Sequence, residues 1–316
     1  MMRKLLLFAA VLLVSLGVSG VAMTVDEALA LYVGSDLNVT YDDAGKALTE
    51  EALAAFREAL GVTDALDETD EGAVMDFAVD ASLMNVIIAL SHTYYVYADA
   101  FLGEEESVVK PFYQRGKHWG LKALRMDETF ASTEDADGFV AAVQTSDNME
   151  ALYWTSSNWL RAGQFDPLAA VFAGMPAKTE ALTLRAMELD ESYTHFGGYR
   201  AFGAFWTGLP SLPAGEYRKN WNKALGFFCK IVDEPGICDA CTECEDYGDV
   251  PATVNEYLEN RMFFVEFYLM PKELWEDAKR NVDSVIADGL GDKYPLYNAI
   301  SLEKAATFLE EIESHL

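Results

Sequence analysis

A chain of 316 residues carries 23 Lys and Arg against 52 Asp and Glu, for a formal net charge of −29. That charge repels phosphate backbones and anionic headgroups, so nucleic acid and acidic membrane surfaces are excluded as expected partners. With 51% hydrophobic residues the chain has ample material for a core, which excludes disorder as its main state and leaves two domains or one array of stacked units.

The chain opens Met1-Met2-Arg3-Lys4, runs apolar from Leu5 to about Val18, and then places Gly20 and Ala22 as small residues before a cleavage point. An apolar run of about 14 residues suits a signal-peptide core, whereas a membrane span takes about 20. Residues 1–22 are therefore expected as a signal peptide, with an uncleaved anchor as the alternative, and the remainder as an exported, periplasmic protein. No Cys stands near residue 22 to accept a lipid anchor.

Helical patterns dominate the rest of the chain. Residues 23–73 read as an N-terminal extension with one or two short helices; the clearest covers 49–60, where Leu53, Phe56 and Leu60 share a face. The acidic stretch 64–72 predicts a loop. Apolar periodicity predicts a long helix over 74–101, broken by Gly103, and a second over 107–126, with Pro111 in its first turn. Residues 132–146 read as a polar connection with at most a short helix. Helices are predicted over 148–162, 178–189, 194–208, 216–232, 252–270, 271–287 and 296–314, punctuated by Gly and Pro. Alternating strand patterns are absent, so the fold class is all-α.

Internal repetition points to stacked helical hairpins. The segment Leu121-Lys122-Ala123-Leu124-Arg125-Met126-Asp127-Glu128-Thr129-Phe130 aligns with Leu184-Arg185-Ala186-Met187-Glu188-Leu189-Asp190-Glu191-Ser192-Tyr193, displaced by 63 residues. An Ala on the second helix, followed by an apolar residue and Asp, is how tetratricopeptide units end. The small Ala admits a close neighbour, and the Asp begins the turn. Residues 74–316 are thus expected to form a tetratricopeptide-like helical hairpin solenoid, with a Cys-rich acidic loop at about 233–250.

Catalytic signatures are missing from the sequence: it has no Gly-rich phosphate loop, no Gly-x-Ser-x-Gly elbow and no His-Glu-x-x-His. His92, His118, His195 and His315 stand far apart, each readable as a helix-face residue with a local hydrogen bond. The chain is not expected to be an enzyme, and no cofactor is expected. The sharpest local feature is Cys229 followed by Cys238, Cys241 and Cys244. In a reducing compartment such spacing suits a metal or iron–sulfur centre. In an oxidising one it reads as two disulfides with three connectivities open, and the acidic neighbours disfavour a reactive thiolate.

Rings concentrate in Tyr153-Trp154-Thr155-Ser156-Ser157-Asn158-Trp159 and in the stretch from Phe196 to Trp206, which holds Tyr199, Arg200 and Phe202. Trp154, Asn158 and Arg161 share one helical stripe. These rings are either ordinary inter-helix core or the wall of an apolar pocket with a few polar anchors. On the second reading Tyr153, Trp154, Asn158, Tyr199, Arg200, Phe202 and Trp206 bind ligand, with Arg200 or Asn158 orienting its polar end. Arg200, Arg261 and Glu266 are embedded in apolar sequence, where a charge requires a partner such as an Arg–Glu pair.

Five stretches together resemble one family. They are Tyr113-Gln114-Arg115-Gly116 through Leu124; Ala151-Leu152-Tyr153-Trp154-Thr155-Ser156-Ser157-Asn158-Trp159; Gly197-Gly198-Tyr199-Arg200-Ala201-Phe202-Gly203 with Pro210; Val265 to Leu274; and Pro295 through Ala305, containing Asn298-Ala299 and Lys304-Ala305. Their order and spacing, from about residue 75 onward, are similar to those of the T component associated with TRAP transporters (the tripartite ATP-independent periplasmic transporters). The resemblance implies a trimer-forming helical protein that partners a periplasmic substrate-binding subunit. It also implies a largely apolar channel that passes a small hydrophobic or organic-acid ligand to that subunit. Many relatives are lipid-anchored, which this N-terminus does not suggest, and the four-Cys loop looks like an insertion. The alternative is a helical-repeat scaffold for periplasmic protein–protein interaction without a small-molecule ligand.

Overall fold

The computed structural model describes residues 22–33, 36–211, 215–242 and 252–316. The expected signal peptide lies outside the described residues apart from Ala22, and Cys244 lies outside them too. The fold is all-α; among the described residues the only strands are a two-residue antiparallel ladder, Tyr32–Val33 against Asp36–Leu37.

The first helices are α1 (Val25–Leu29), α2 (Asp43–Leu60) and α3 (Glu71–Asp76). Helix α2 begins six residues before the predicted 49, because Asp42 accepts the amide of Gly45 and so caps the helix earlier. The predicted helix over 74–101 is interrupted. Helix α3 ends at Asp76, its last carbonyls drawn off by Lys122, whose Nζ donates to Met75 O at 2.6 Å and Phe77 O at 2.8 Å. Asp80 then caps a short 3-10 turn, and α4 runs Met84–Phe101.

Helix α5 (Glu106–Arg125) comes next, and the predicted polar connection after it is largely helical: α6 is Glu128–Asp137 and α7 is Phe139–Val143. The polar composition hid two anchors. Phe130 and Phe139 meet edge-on at 5.9 Å, and Phe139 meets Trp159 in the same way at 5.8 Å. Beyond them lie α8 (Met149–Gly163), α9 (Pro167–Phe172) and α10 (Met175–Leu189). Helices α4, α5, α8 and α10 pack successively on one another, and α2 packs on α4. The aligned Asp residues play the same part at both ends of the repeat: Asp127 accepts the amides of Thr129 and Phe130, and Asp190 accepts that of Ser192. Ala123 and Ala186 are both buried, as close packing requires.

The second half holds α11 (Tyr193–Gly208), α12 (Trp221–Phe228), α13 (Pro235–Cys238), α14 (Ala252–Glu256), α15 (Glu259–Phe264), α16 (Trp275–Asp288) and α17 (Pro295–Glu313). The predicted helix over 252–270 is broken at Tyr257 and ends in a π-turn at Val265–Leu269. Asn298 of α17 bridges the break, accepting the amide of Leu258 at 3.0 Å and donating to Glu256 O at 3.0 Å. Cys229 and Cys238 form a disulfide linking the end of α12 to α13, and both are buried in the second core. Cys241 is disulfide-bonded as well.

Two main hydrophobic clusters result, one built on α2, α4, α5, α8 and α10 and the other on α11, α12, α15, α16 and α17. The N-terminal region is fastened to the first through Glu68, 4% exposed, in the stretch predicted as an acidic loop. Its carboxylate accepts Tyr94 Oη and Trp119 Nε1, each at 2.7 Å, and Arg57 Nε at 3.0 Å, while its carbonyl pairs with His118 Nδ1 at 3.0 Å. Removing a buried carboxylate strands every one of the donors it accepts. Glu68→Ala is expected to lower the unfolding free energy by roughly 3 kcal/mol in urea titrations, and a change under about 0.5 kcal/mol would show the network to be idle.

Candidate functional site

A cavity of about 220 Å³ opens at the junction of the two clusters. Its wall takes residues from α8, α9, α11 and α15 and from the start of α10. Leu160, Val171, Met175, Phe205, Phe263 and Phe267 supply an apolar lining, and Tyr95, Tyr153, Arg161, Arg200 and Glu259 supply the polar groups. An apolar hollow with a few convergent polar groups is the usual makeup of a small-molecule site.

The backbone beneath the cavity is unusual. Thr194, His195 and Phe196 adopt left-handed φ values of 48°, 54° and 64°, so α11 is regular only from Gly197 onward. Left-handed conformation costs a non-Gly residue roughly 1–2 kcal/mol, so three in succession need a local restraint. Arg200 provides it from one turn further along the helix. Its Nη2 donates to Thr194 O at 2.9 Å and Nη1 to His195 O at 2.8 Å, which ties both carbonyls of the reversed turn to one guanidinium. Nη1 also donates to Asn260 Oδ1 at 2.6 Å, and Nη2 pairs with Glu259 Oε2 at 3.1 Å. Each of the three embedded charges has a partner: Arg200 forms an Arg–Glu pair with Glu259, Arg261 pairs with Asp288 and Glu266 with Lys304. Gly197 completes the turn: a Cβ there would lie 2.1 Å from Tyr153 Oη, so only Gly lets α11 approach α8 this closely.

The charged wall residues Arg161, Arg200 and Glu259 are paired, and a further ion pair stands near them. Arg161 Nη2 binds Asp99 Oδ1 at 2.5 Å, and Lys304 Nζ binds Glu266 Oε2 at 2.9 Å, beside the Arg200–Glu259 pair. Burial lifts the Glu259 carboxyl above the usual range; Arg200 pulls it down, and Asp99 pushes it further up. Burial also disfavours charge on Arg200, but Glu259 and the surrounding Tyr hydroxyls outweigh that and hold it cationic. Tyr95 is driven far up by burial and by Asp99, so it stays a neutral hydroxyl.

Of the residues singled out from the sequence, Tyr153 and Arg200 line the cavity. Trp154 stacks on His92 at 3.6 Å and donates Nε1 to Tyr193 Oη at 2.9 Å. Asn158 is fully buried between helices, donating to Ser91 O at 3.0 Å and to Trp154 O at 2.8 Å. Tyr199 is half-buried and donates to Glu191; burial first, and then that carboxylate, raise it to about 12. Phe202 stacks on Phe227 at 4.7 Å, and Trp206 lies against Tyr217 with Lys223 Nζ 4.0 Å from its ring centre. These five belong to helix packing around the cavity rather than to its wall. Arg161 shares the Trp154 stripe and does reach the cavity. Glu259 and Phe263 carry no signal in the sequence, and Phe267 lies in a resembling stretch without marking a cavity, since nothing local shows that the chain breaks at Tyr257 and brings this segment to α11.

The fold and the cavity together define a helical-repeat protein with a small, mainly apolar, charge-balanced pocket between two cores. Residues 78–225 match the family model of the TRAP transporter T-component, which supports the T-component likeness over that span. Three of the five resembling stretches fall inside the match, while those at 265–274 and 295–305 lie beyond it. No curated protein matches the chain. No described helix is long and apolar enough to cross a membrane.

Arg200→Met leaves two carbonyls and Asn260 Oδ1 without their Arg200 donor and Glu259 without its cation, and should cost roughly 3–5 kcal/mol in denaturant titrations, with Arg200→Lys recovering only part of the loss. A second expectation concerns pH. Burial lowers His92 well below its ordinary 6.5, so the folded state keeps it neutral while the unfolded chain takes up a proton. Stability should therefore be complete above that value and fall as pH drops below it, by up to about 1.4 kcal/mol per pH unit from this residue. His118, lowered by burial and Lys117, adds to the same slope. His92→Gln should flatten the pH dependence of the urea midpoint between roughly pH 5 and 6.5, and an unchanged slope would refute the assignment.

Proposed function

We propose that this T-component-like protein acts in the periplasm as a non-catalytic partner of a TRAP substrate-binding subunit, and that its cavity holds a small, mainly apolar ligand for transfer to that subunit. The observation that carries the reading is the position of the cavity: its wall draws on α8 and α11, both inside the matched span, with Tyr153 and Arg200 presenting the polar groups. Apolar burial would provide most of the affinity, at roughly 25 cal/mol per Å² of surface removed from water. The paired charges would fix the ligand's orientation at little desolvation cost, because they are already ion-paired with one another. A homotrimer is expected from the same family likeness.

Ala204 faces the cavity from α11 and is only partly buried, so a larger side chain there has room to enter the hollow. The test is tagged protein purified from periplasm, analysed by native mass spectrometry and blotted for the substrate-binding subunit. The wild type is expected to retain a small molecule and the subunit. Ala204→Phe should keep its melting temperature within a few degrees and keep the subunit, but lose the small molecule. Equal ligand content in both proteins would remove the cavity from the function, and absence of the subunit from both would remove the proposed partner.

A further inference from the structure

The arrangement around Arg200 contains one acceptor unlike the others. Three of the four Nη hydrogens are donated to Thr194 O, His195 O and Asn260 Oδ1, and Nη2 also stands 3.1 Å from Glu259 Oε2 in an ion pair. Three of these acceptors are neutral and structurally committed. Two are the carbonyls of the left-handed turn, and the third is the amide of Asn260, whose Nδ2 is itself occupied by Val254 O at 3.1 Å. Glu259 is the single anion of the set, makes the longest of the four contacts, and lines the cavity together with Arg200.

We propose that Arg200 anchors the head group of an amphipathic carboxylate ligand and that Glu259 is an exchangeable counter-ion: the incoming carboxylate takes the Glu259 place on Nη2, and Glu259 takes up a proton from solvent. The charge in the cavity is the same before and after the exchange, and the clamp on Thr194 and His195 is never released. The apolar wall of Leu160, Val171, Met175 and Phe205 receives the ligand's hydrocarbon body. This rests on the ligand-binding reading above, takes from the family likeness an organic-acid ligand, and adds the exchangeable counter-ion and a coupled proton.

The groups facing Glu259 make the exchange feasible. Asp99 of α4 repels its anion, and Lys304 of α17 attracts it while bonded to Glu266. Arg161 of α8 is engaged by Asp99, and Tyr257 donates a hydrogen bond. Tyr95 and Tyr153 add neutral hydroxyls, and burial biases the carboxyl toward its protonated form. A second anion beside Arg200 would raise that bias further, because two carboxylates sharing one cation resist joint ionisation.

The test compares octanoate with octanol, probes of equal chain length and different head group, by titration calorimetry on the full-length folded protein. Octanoate should bind more tightly than octanol, and its affinity should rise from roughly pH 8 to pH 6 while that of octanol stays level. Repeating the titration in buffers of different ionisation enthalpy should show proton uptake with octanoate and none with octanol. Glu259→Gln keeps the shape and removes the competing charge. It should bind octanoate about tenfold more tightly at roughly pH 8 and lose the pH dependence, leaving octanol within about twofold. A merely structural Glu259 would instead lower the melting temperature with no gain for octanoate. If both probes bind wild type equally, or octanoate binds without proton uptake, the exchange is refuted and the apolar cavity stands. If neither binds, both readings fail. The wild-type comparison can refute the exchange even if the variant does not fold, and loss of the pH dependence in Glu259→Gln separates protonation of Glu259 from entry of neutral octanoic acid, which would keep it.

Discussion

One guanidinium holds the junction between the two cores. Arg200 lies nearly buried, and its hydrogen bonds run to the reversed turn before α11 and to the first residues of α15. The left-handed turn could not persist on local preference, since Thr, His and Phe each disfavour that conformation. The turn opens α11, where the chain passes from the first cluster to the second. Arg200 braces that turn and lines the cavity, so one side chain serves both.

Within the first stack small residues bring the helices into direct contact. A Cβ on Gly120 would lie 2.2 Å from Thr155 Oγ1, and Ser91 Oγ donates to Gly116 O at 2.7 Å across the α4–α5 contact. Buried hydroxyls at such contacts need acceptors, and they find them in backbone carbonyls: Thr155 uses Ala151 O at 2.6 Å and Thr93 uses Ala89 O at 2.7 Å. Asn158 serves the same purpose over a longer reach. Polar side chains that look like ligand anchors when read along a helical stripe are consumed here in closing helix against helix.

The same contrast sets how far the sequence can be read. Helix order in the repeat, the Asp-begun turns after Met126 and Leu189, and the paired state of Arg200 all stem from local pattern and from the cost of a buried charge. The family likeness is visible because 113–124, 151–159 and 197–203 lie in the matched span. The helix breaks are hidden because their causes are distant. Lys122 ends α3 from 45 or more residues away, and Asn298 opens the gap before α15 from 40. Tyr153 and Trp154 are adjacent, both aromatic and both buried, yet only Tyr153 lines the cavity. Which ring faces a void depends on where the neighbouring stack ends, and a helical stripe holds no record of that.

The two buried carboxylates show how differently the same chemistry is used. Glu68 collects Tyr94, Trp119 and Arg57 and is not part of the cavity wall, so its charge is fully spent in joining the N-terminal region to the first core. Glu259 is also largely buried but stands at an opening, beside a like charge on Asp99 and against a cation that holds three other acceptors. Removing the Glu68 anion would strand several donors, whereas neutralising the Glu259 anion would leave Arg200 with its neutral partners and a vacancy facing the cavity. A carboxylate whose departure leaves a cation still braced, and exposes it only toward a hollow, is suited to exchange; one whose departure unbinds three helices is suited to permanence.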